Sequence, residues 1–136
     1  MNAIRYLPFA GRLLIGLPFA MSGLSKLAAI GPTTEAIRAA GLPLPPVALA
    51  LAVLVELGGG LLLVAGFQAR IAAAALAVFS LVAAVSFHSN FADQNQMIHF
   101  LKNMMMAGGL LQIVAFGAGA LSIDNRSAKD GAQEKS

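Results

Sequence analysis

The sequence predicts an all-α membrane protein: a four-transmembrane-helix bundle with a short amphipathic surface helix between spans one and two. Three observations predict it. Of 136 residues, 58% are apolar and only 11% charged, whereas a water-soluble domain carries about 25% charged residues to wet its surface. The mean hydropathy is +0.79. The apolar residues fall into blocks of about 20, the length at which a helix crosses the hydrocarbon core.

Taken in order, the blocks place spans at about 7–29, 47–67, 70–87 and 98–121, within a transmembrane domain covering 1–121. Polar or Pro/Gly punctuation bounds each of them. Arg5 before an apolar stretch, with Ala28 and Ala29 after it, also resembles a signal peptide. The stretch is too long for that and contains Arg12 and Lys26, so it reads as the first span. The connection "GPTTEAIRAAGLPLPP" reads as the surface helix. Pro32, Thr33 and Thr34 start it, Glu35 and Arg38 pair at i, i+3, and Gly41 with Pro43, Pro45 and Pro46 stops it. It has too few apolar residues to span and belongs at the membrane surface. "GFQAR" is a tight turn that makes spans two and three antiparallel neighbours. The polar stretch 122–136, "SIDNRSAKDGAQEKS", reads as a disordered tail.

Composition excludes several function classes. There is no cysteine, so disulfides, thiolate metal sites and iron–sulfur ligation are ruled out. The sequence pI is near 9.8, yet the basic residues are scattered singly and form no patch that tracks phosphates, so nucleic acid is not a partner. "ELGGGLLL" lies inside an apolar span and lacks the Lys-Ser/Thr pair of a phosphate-binding loop. His88 and His99 lie at one rim with Asp93 between them. Their spacing fits no ligand motif; they read as interfacial polar residues, and no metal site is assigned.

Polar residues inside the spans are the candidate site. Arg12, Gly16, Phe19, Gly23 and Lys26 form one stripe of the first span, and Glu56 shares a face with Ala52, Gly59, Gly60 and Leu63 in the second. In the fourth, Lys102, Met105, Gly109, Gln112 and Phe116 share a face, with Asn103 beside it. Glycines on these faces admit close helix packing, and the polar groups supply interhelical hydrogen bonds. Gln112 and Ser80 read as such glue. Arg12, Lys26 and Lys102 lie near span ends and are equally suited to snorkelling. Glu56 lies about ten residues from either end of its span, cannot snorkel, and is a functional-site candidate by default. Its expected partners are Arg12, Lys26 or Lys102 as an ion pair, or Gln112 or Asn103 as hydrogen-bond partners of a neutral acid.

Several of these segments resemble the DoxX family of bacterial integral membrane proteins. "RLLIGLPFAMSGLSKL" resembles its first-helix opening, "AAGLPLPPVALALAVLVELGGGLLLVAGFQAR" its Gly-Leu-Pro link and second helix, and "FLKNMMMAGGLLQIVAFGAGALSID" its last helix and exit. The resemblance covers about residues 5–124. It implies a four-helix bundle in the bacterial inner membrane, and its pattern falls on Arg12, Lys26, Glu56, Lys102 and Asn103 without giving any of them a catalytic role. The family is named for a link to a thiosulfate:quinone oxidoreductase subunit, and other members are associated with membrane redox complexes.

The function this implies is a redox-associated membrane subunit that recruits or supports a partner oxidoreductase. A quinone ring would lie between Glu56, Asn103 and the glycine-rich faces. No cofactor is bound covalently, and electron transfer belongs to the partner or its cofactor. Two alternatives stand beside it: a structural or assembly protein without chemistry of its own, and a small proton or solute carrier. The partners that fit are the lipid bilayer, a soluble or membrane oxidoreductase and a second copy of the chain. Lysine and arginine counts place both termini in the cytoplasm.

Overall fold

A computed structural model gives the fold of residues 3–135. Among these residues there is no strand, and four helices are long and apolar enough to cross a membrane. Helix α1 (Ala3–Ala28) runs unbroken through Pro8 and Pro18. Helix α2 (Ile30–Ala39) follows it. Helix α3 (Pro45–Ala65) is the second span, α4 (Ala69–Phe87) the third and α5 (Gln94–Phe116) the fourth. A sixth helix, α6, occupies Ile123–Glu134.

Local chemistry sets the boundaries. Pro45 sits in the first turn of α3, where its missing N–H costs nothing. The α3–α4 turn needs left-handed backbone at Gly66 (φ 71°) and Gln68 (φ 49°), and ends in three residues what two antiparallel helices began. Asp93 caps α5, its carboxylate accepting from the Asn95 and Gln96 amides. The fourth span therefore begins earlier than its apolar residues suggest, and it ends at Phe116 because Gly117 (φ 82°) and Gly119 (φ 88°) leave helical geometry. Helix α2 lies where the surface helix is expected and has the Arg38–Glu35 pair. It begins at Ile30, ahead of Pro32, with no side-chain cap.

The stretch that composition reads as a disordered tail is helical instead. The Ser122 hydroxyl accepts from the Asn125 amide and caps α6. Asp124 then ties the segment to the α3–α4 turn: its amide donates to the Gly66 carbonyl, and its carboxylate accepts from the Gln68 and Ala69 amides. The Ser122 cap with Asp124 in the first turn was the available sequence signal.

The spans pack in chain order, α1 on α3, α3 on α4 and α4 on α5. Their core joins Phe19, Leu63, Leu76 and Leu110, one from each span, to the alanines Ala69, Ala72, Ala73 and Ala77 of α4. Small residues bring backbones together where hydrocarbon offers no hydrophobic drive. A Cβ on Gly60 would lie 2.6 Å from the Gly16 carbonyl oxygen, so α1 and α3 cross backbone to backbone. The neighbouring Gly59 faces α4 instead, with Leu76 Cγ 3.0 Å from its would-be Cβ, and Gly58 meets nothing.

The fourth span corrects one expectation. Its buried residues are Ala107 and Leu110. Lys102, Met105, Gln112 and Phe116 are exposed, on the opposite side from the packed face. The alanine-rich wall of α4 accepts the small Ala107 face of α5 and leaves the polar stripe outward.

Candidate functional site

The middle of α3 is not α-helical. Leu54–Gly58 forms a π-turn, and Glu56 lies at its centre, 4% exposed. A π-turn fits an extra residue into the helix and recurs at functional positions. Here it carries the one acid of the four spans that lies deep among apolar residues.

Two residues of α1 hold that acid. Lys26 Nζ is 2.6 Å from Glu56 Oε2. The Ser22 hydroxyl donates to Glu56 Oε1 at 3.1 Å and accepts from Lys26 Nζ at 3.0 Å. Ser22 and Lys26 are one turn apart, so both reach the same carboxylate from one helix face. Close approach is secured by Gly23, whose added Cβ would lie 2.8 Å from the Leu57 amide nitrogen. Lys26 keeps a quarter of its side chain exposed, against 5% for Glu56. An ammonium has three donors, and two are used here.

The other candidates lie elsewhere. Arg12 does not reach Glu56. Its Nη1 donates to the carbonyls of Leu63 (2.8 Å) and Val64 (3.2 Å), and its Nη2 to that of Leu121. Its Nε is buried without a partner, and its guanidinium lies 5.5 Å from the centre of the Phe9 ring. A cation at the carbonyl end of α3 complements the helix dipole and satisfies its orphan acceptors. Asn103 donates to the His99 carbonyl of its own helix. Lys102 and Asn103 line a groove with Ile15, His99, Met105 and Met106. Gln112 is exposed. Ser80, read as glue, bonds among the described residues to the Leu76 carbonyl one turn back in its own helix α4.

Of the six candidates, then, Lys26 and Glu56 bond to one another, Lys102 and Asn103 share the groove without reaching Glu56, and Arg12 and Gln112 stand apart. Ser22 was missed, although it precedes Lys26 by one helical turn, and the π-turn has no side-chain signature. At the same rim the His88 and His99 rings lie 5.0 Å apart. Burial, and then the nearby His99, lower the pKa of His88 below its ordinary value. Among the described residues no three metal-ligating side chains converge, and Asp93 serves as the α5 cap.

The chemistry this allows is narrow: a partly exposed ammonium, a buried carboxylate and a hydroxyl, able to hydrogen-bond a polar group that reaches them.

Comparison with known proteins bears on the whole chain. The DoxX family profile matches residues 7–89. The inner membrane protein YqjF of Escherichia coli (strain K12) is 38% identical over 113 residues, 83% of this chain and 85% of that protein. The inner membrane protein YphA of the same organism is 31% identical over 140 residues, 93% of this chain and 100% of that protein. No solved structure matches.

Proposed function

We propose a role that proceeds from one premise: this chain belongs to the DoxX family. In this reading it is a multi-pass protein of the bacterial inner membrane. It is redox-associated, recruits or supports a partner oxidoreductase, and offers that partner's quinone a polar contact within the bilayer. The names of its relatives support the membrane, and four crossings bring both ends of the chain to one side. That side holds Arg5, Arg12, Arg70, Arg126, Lys129 and Lys135, against Lys26, Arg38 and Lys102 on the other, which supports cytoplasmic termini.

The observation that carries the reading is the Ser22–Lys26–Glu56 cluster at the π-turn. Burying the Glu56 carboxylate costs several kcal/mol, and a well-packed apolar residue often serves stability as well. A bundle that needed only to hold together has Gly16, Gly23 and Gly60 for that purpose. The unused donor of Lys26 suits a quinone carbonyl, whose isoprenoid tail stays in lipid. The chain has no cysteine and so no thiol or iron–sulfur route for electrons; in this reading the partner carries them.

The test is affinity purification of the full chain from its native membrane, with quinone extracted and quantified and co-purifying proteins identified. Quinone and an oxidoreductase are expected with the wild type, and Lys26→Met and Glu56→Gln should lower the quinone several-fold. A clean bundle carrying neither would overturn this reading and leave the assembly role.

A further inference from the structure

The groove beside α5 does not belong to the cluster just described. Helices α1 and α5 converge at Ile15 and Gly109, where a Cβ on the glycine would lie 3.4 Å from Ile15 Cδ1. A groove of about 440 Å³ is lined by Ile15 and by His99, Lys102, Asn103, Met105 and Met106 of α5. Three of these, His99, Asn103 and Met106, recur at i, i+4, i+7 and so share a helix face.

The charges in this groove are unbalanced. Lys102 makes no hydrogen bond or ion pair among the described residues, and no acid lines the groove. The other basic residues of the spans are accounted for. Arg12 is held by three carbonyls and Lys26 by Glu56, while Arg5 and Arg70 lie in the first turn of their helices, within reach of headgroups. Lys102 lies about 12 Å along α5 from Gln94, at 1.5 Å per residue, where an uncompensated charge is costly. Helical side chains start out toward the N-terminus, so the Lys102 ammonium can reach back toward the α5 rim. Among the described residues, His99 is the other titratable group lining the groove. It faces His88, for which burial disfavours the charged form.

We infer that this groove is a binding site for a phospholipid with an anionic headgroup. The phosphate takes the Lys102 ammonium as its point charge. One acyl chain follows the Ile15, Met105 and Met106 wall, and Asn103 offers its free carbonyl oxygen to a headgroup hydroxyl. A diffusible phosphate would gain nothing from the apolar wall. A neutral quinone would leave the ammonium uncompensated. The inference is therefore independent of the quinone reading, and the two can fail separately.

Native mass spectrometry of the full chain in detergent tests it, with phosphatidylglycerol and phosphatidylcholine of identical acyl chains and ubiquinone as the third probe. The expected result is about fivefold preferential retention of phosphatidylglycerol, the size of one basic contact. The preference should vanish in Lys102→Gln, return in Lys102→Arg, and persist in Arg5→Gln, which keeps the groove intact. Met106→Trp should weaken retention of both lipids by filling the groove. Equal retention of the two lipids by the wild type, an unchanged preference in Lys102→Gln, or mole-for-mole displacement of phosphatidylglycerol by ubiquinone would each overturn the assignment.

Discussion

Arg12 and Lys26 occupy the same stripe of α1, about 21 Å apart along the helix at 1.5 Å per residue. Arg12 is 1% exposed and bonded to carbonyls from α3 and from the segment before α6. Lys26 remains a quarter exposed and is bonded to two side chains. The difference lies in the acceptors. Backbone carbonyls at a helix end are always present and cannot be protonated, so Arg12 makes a permanent closure joining α1, α3 and the chain's exit. A carboxylate and a hydroxyl can exchange partners and protons, so the Lys26 end can respond to what enters it. One end of the stripe fixes the bundle, and the other is free to act.

The largest effect that sharpens this contrast is expected at Arg12. Arg12→Gln leaves three carbonyls without their cationic donor and should cost roughly 3 kcal/mol or more, at about 1–3 kcal/mol for each buried acceptor left unpaired. A steep drop in the thermal midpoint of the detergent-purified protein would report it. Arg12→Lys should recover only part, because a single ammonium cannot span the acceptors that a guanidinium fork reaches. The contrast would be broken if Arg12→Gln melted like the wild type.

Next comes the crossing between the two ends. Gly60→Ala forces a methyl against the Gly16 carbonyl, an overpacking of about 1–3 kcal/mol. Gly58→Ala meets nothing and should be neutral in the same melting assay.

At the Lys26 end the stability cost should be smaller. Glu56→Ala removes the carboxylate, but Lys26 is exposed enough to turn toward headgroups, so a loss of about 1–2 kcal/mol is expected. Glu56→Gln keeps an acceptor for Ser22 and should preserve the fold while lowering quinone retention. If Glu56→Ala destabilised the chain more than Arg12→Gln, the roles of the two ends would be exchanged.

The smallest effect is at His88. Its folded pKa lies below the ordinary 6.5, so the folded state binds fewer protons than the unfolded one. Stability is therefore level above about pH 6.5 and declines as pH falls below it, toward the depressed folded value. Thermal midpoints between pH 7.5 and 5 should show a shallow decline that His88→Gln flattens.

Much of the arrangement was legible in the sequence, for identifiable reasons. Bilayer thickness fixes span length, so the four crossings followed from apolar blocks alone. The stripe from Arg12 to Lys26 was legible because helical period puts those residues on one side, and all but Lys26 are buried. The partners of Arg12 were not, because carbonyls belong to every residue and leave no mark in composition. Glu56 stood out by its depth, but both cations of the stripe were equally eligible for it, and only the crossing at Gly23 and Leu57 selects Lys26. The fourth span was misread because small residues occur on both of its sides. Gly109 on the polar stripe suggests packing there, whereas the buried residues are Ala107 and Leu110.

The π-turn in α3 is also a phase shift. A helix that takes an extra residue into one turn delays every later side chain by about 100°, the angle one residue occupies. The two halves of the span are thus out of step by one position, and the phase of Glu56 is set independently of the phase of Gly59, Gly60 and Leu63. The lower half can keep its glycines against both neighbours while the upper half aims an acid at α1. Losing one residue between Leu54 and Gly58 would bring the halves back into step and swing Glu56 away from Lys26, with every side chain of the site still present. The cluster therefore depends on how many residues the span contains as well as on which ones they are.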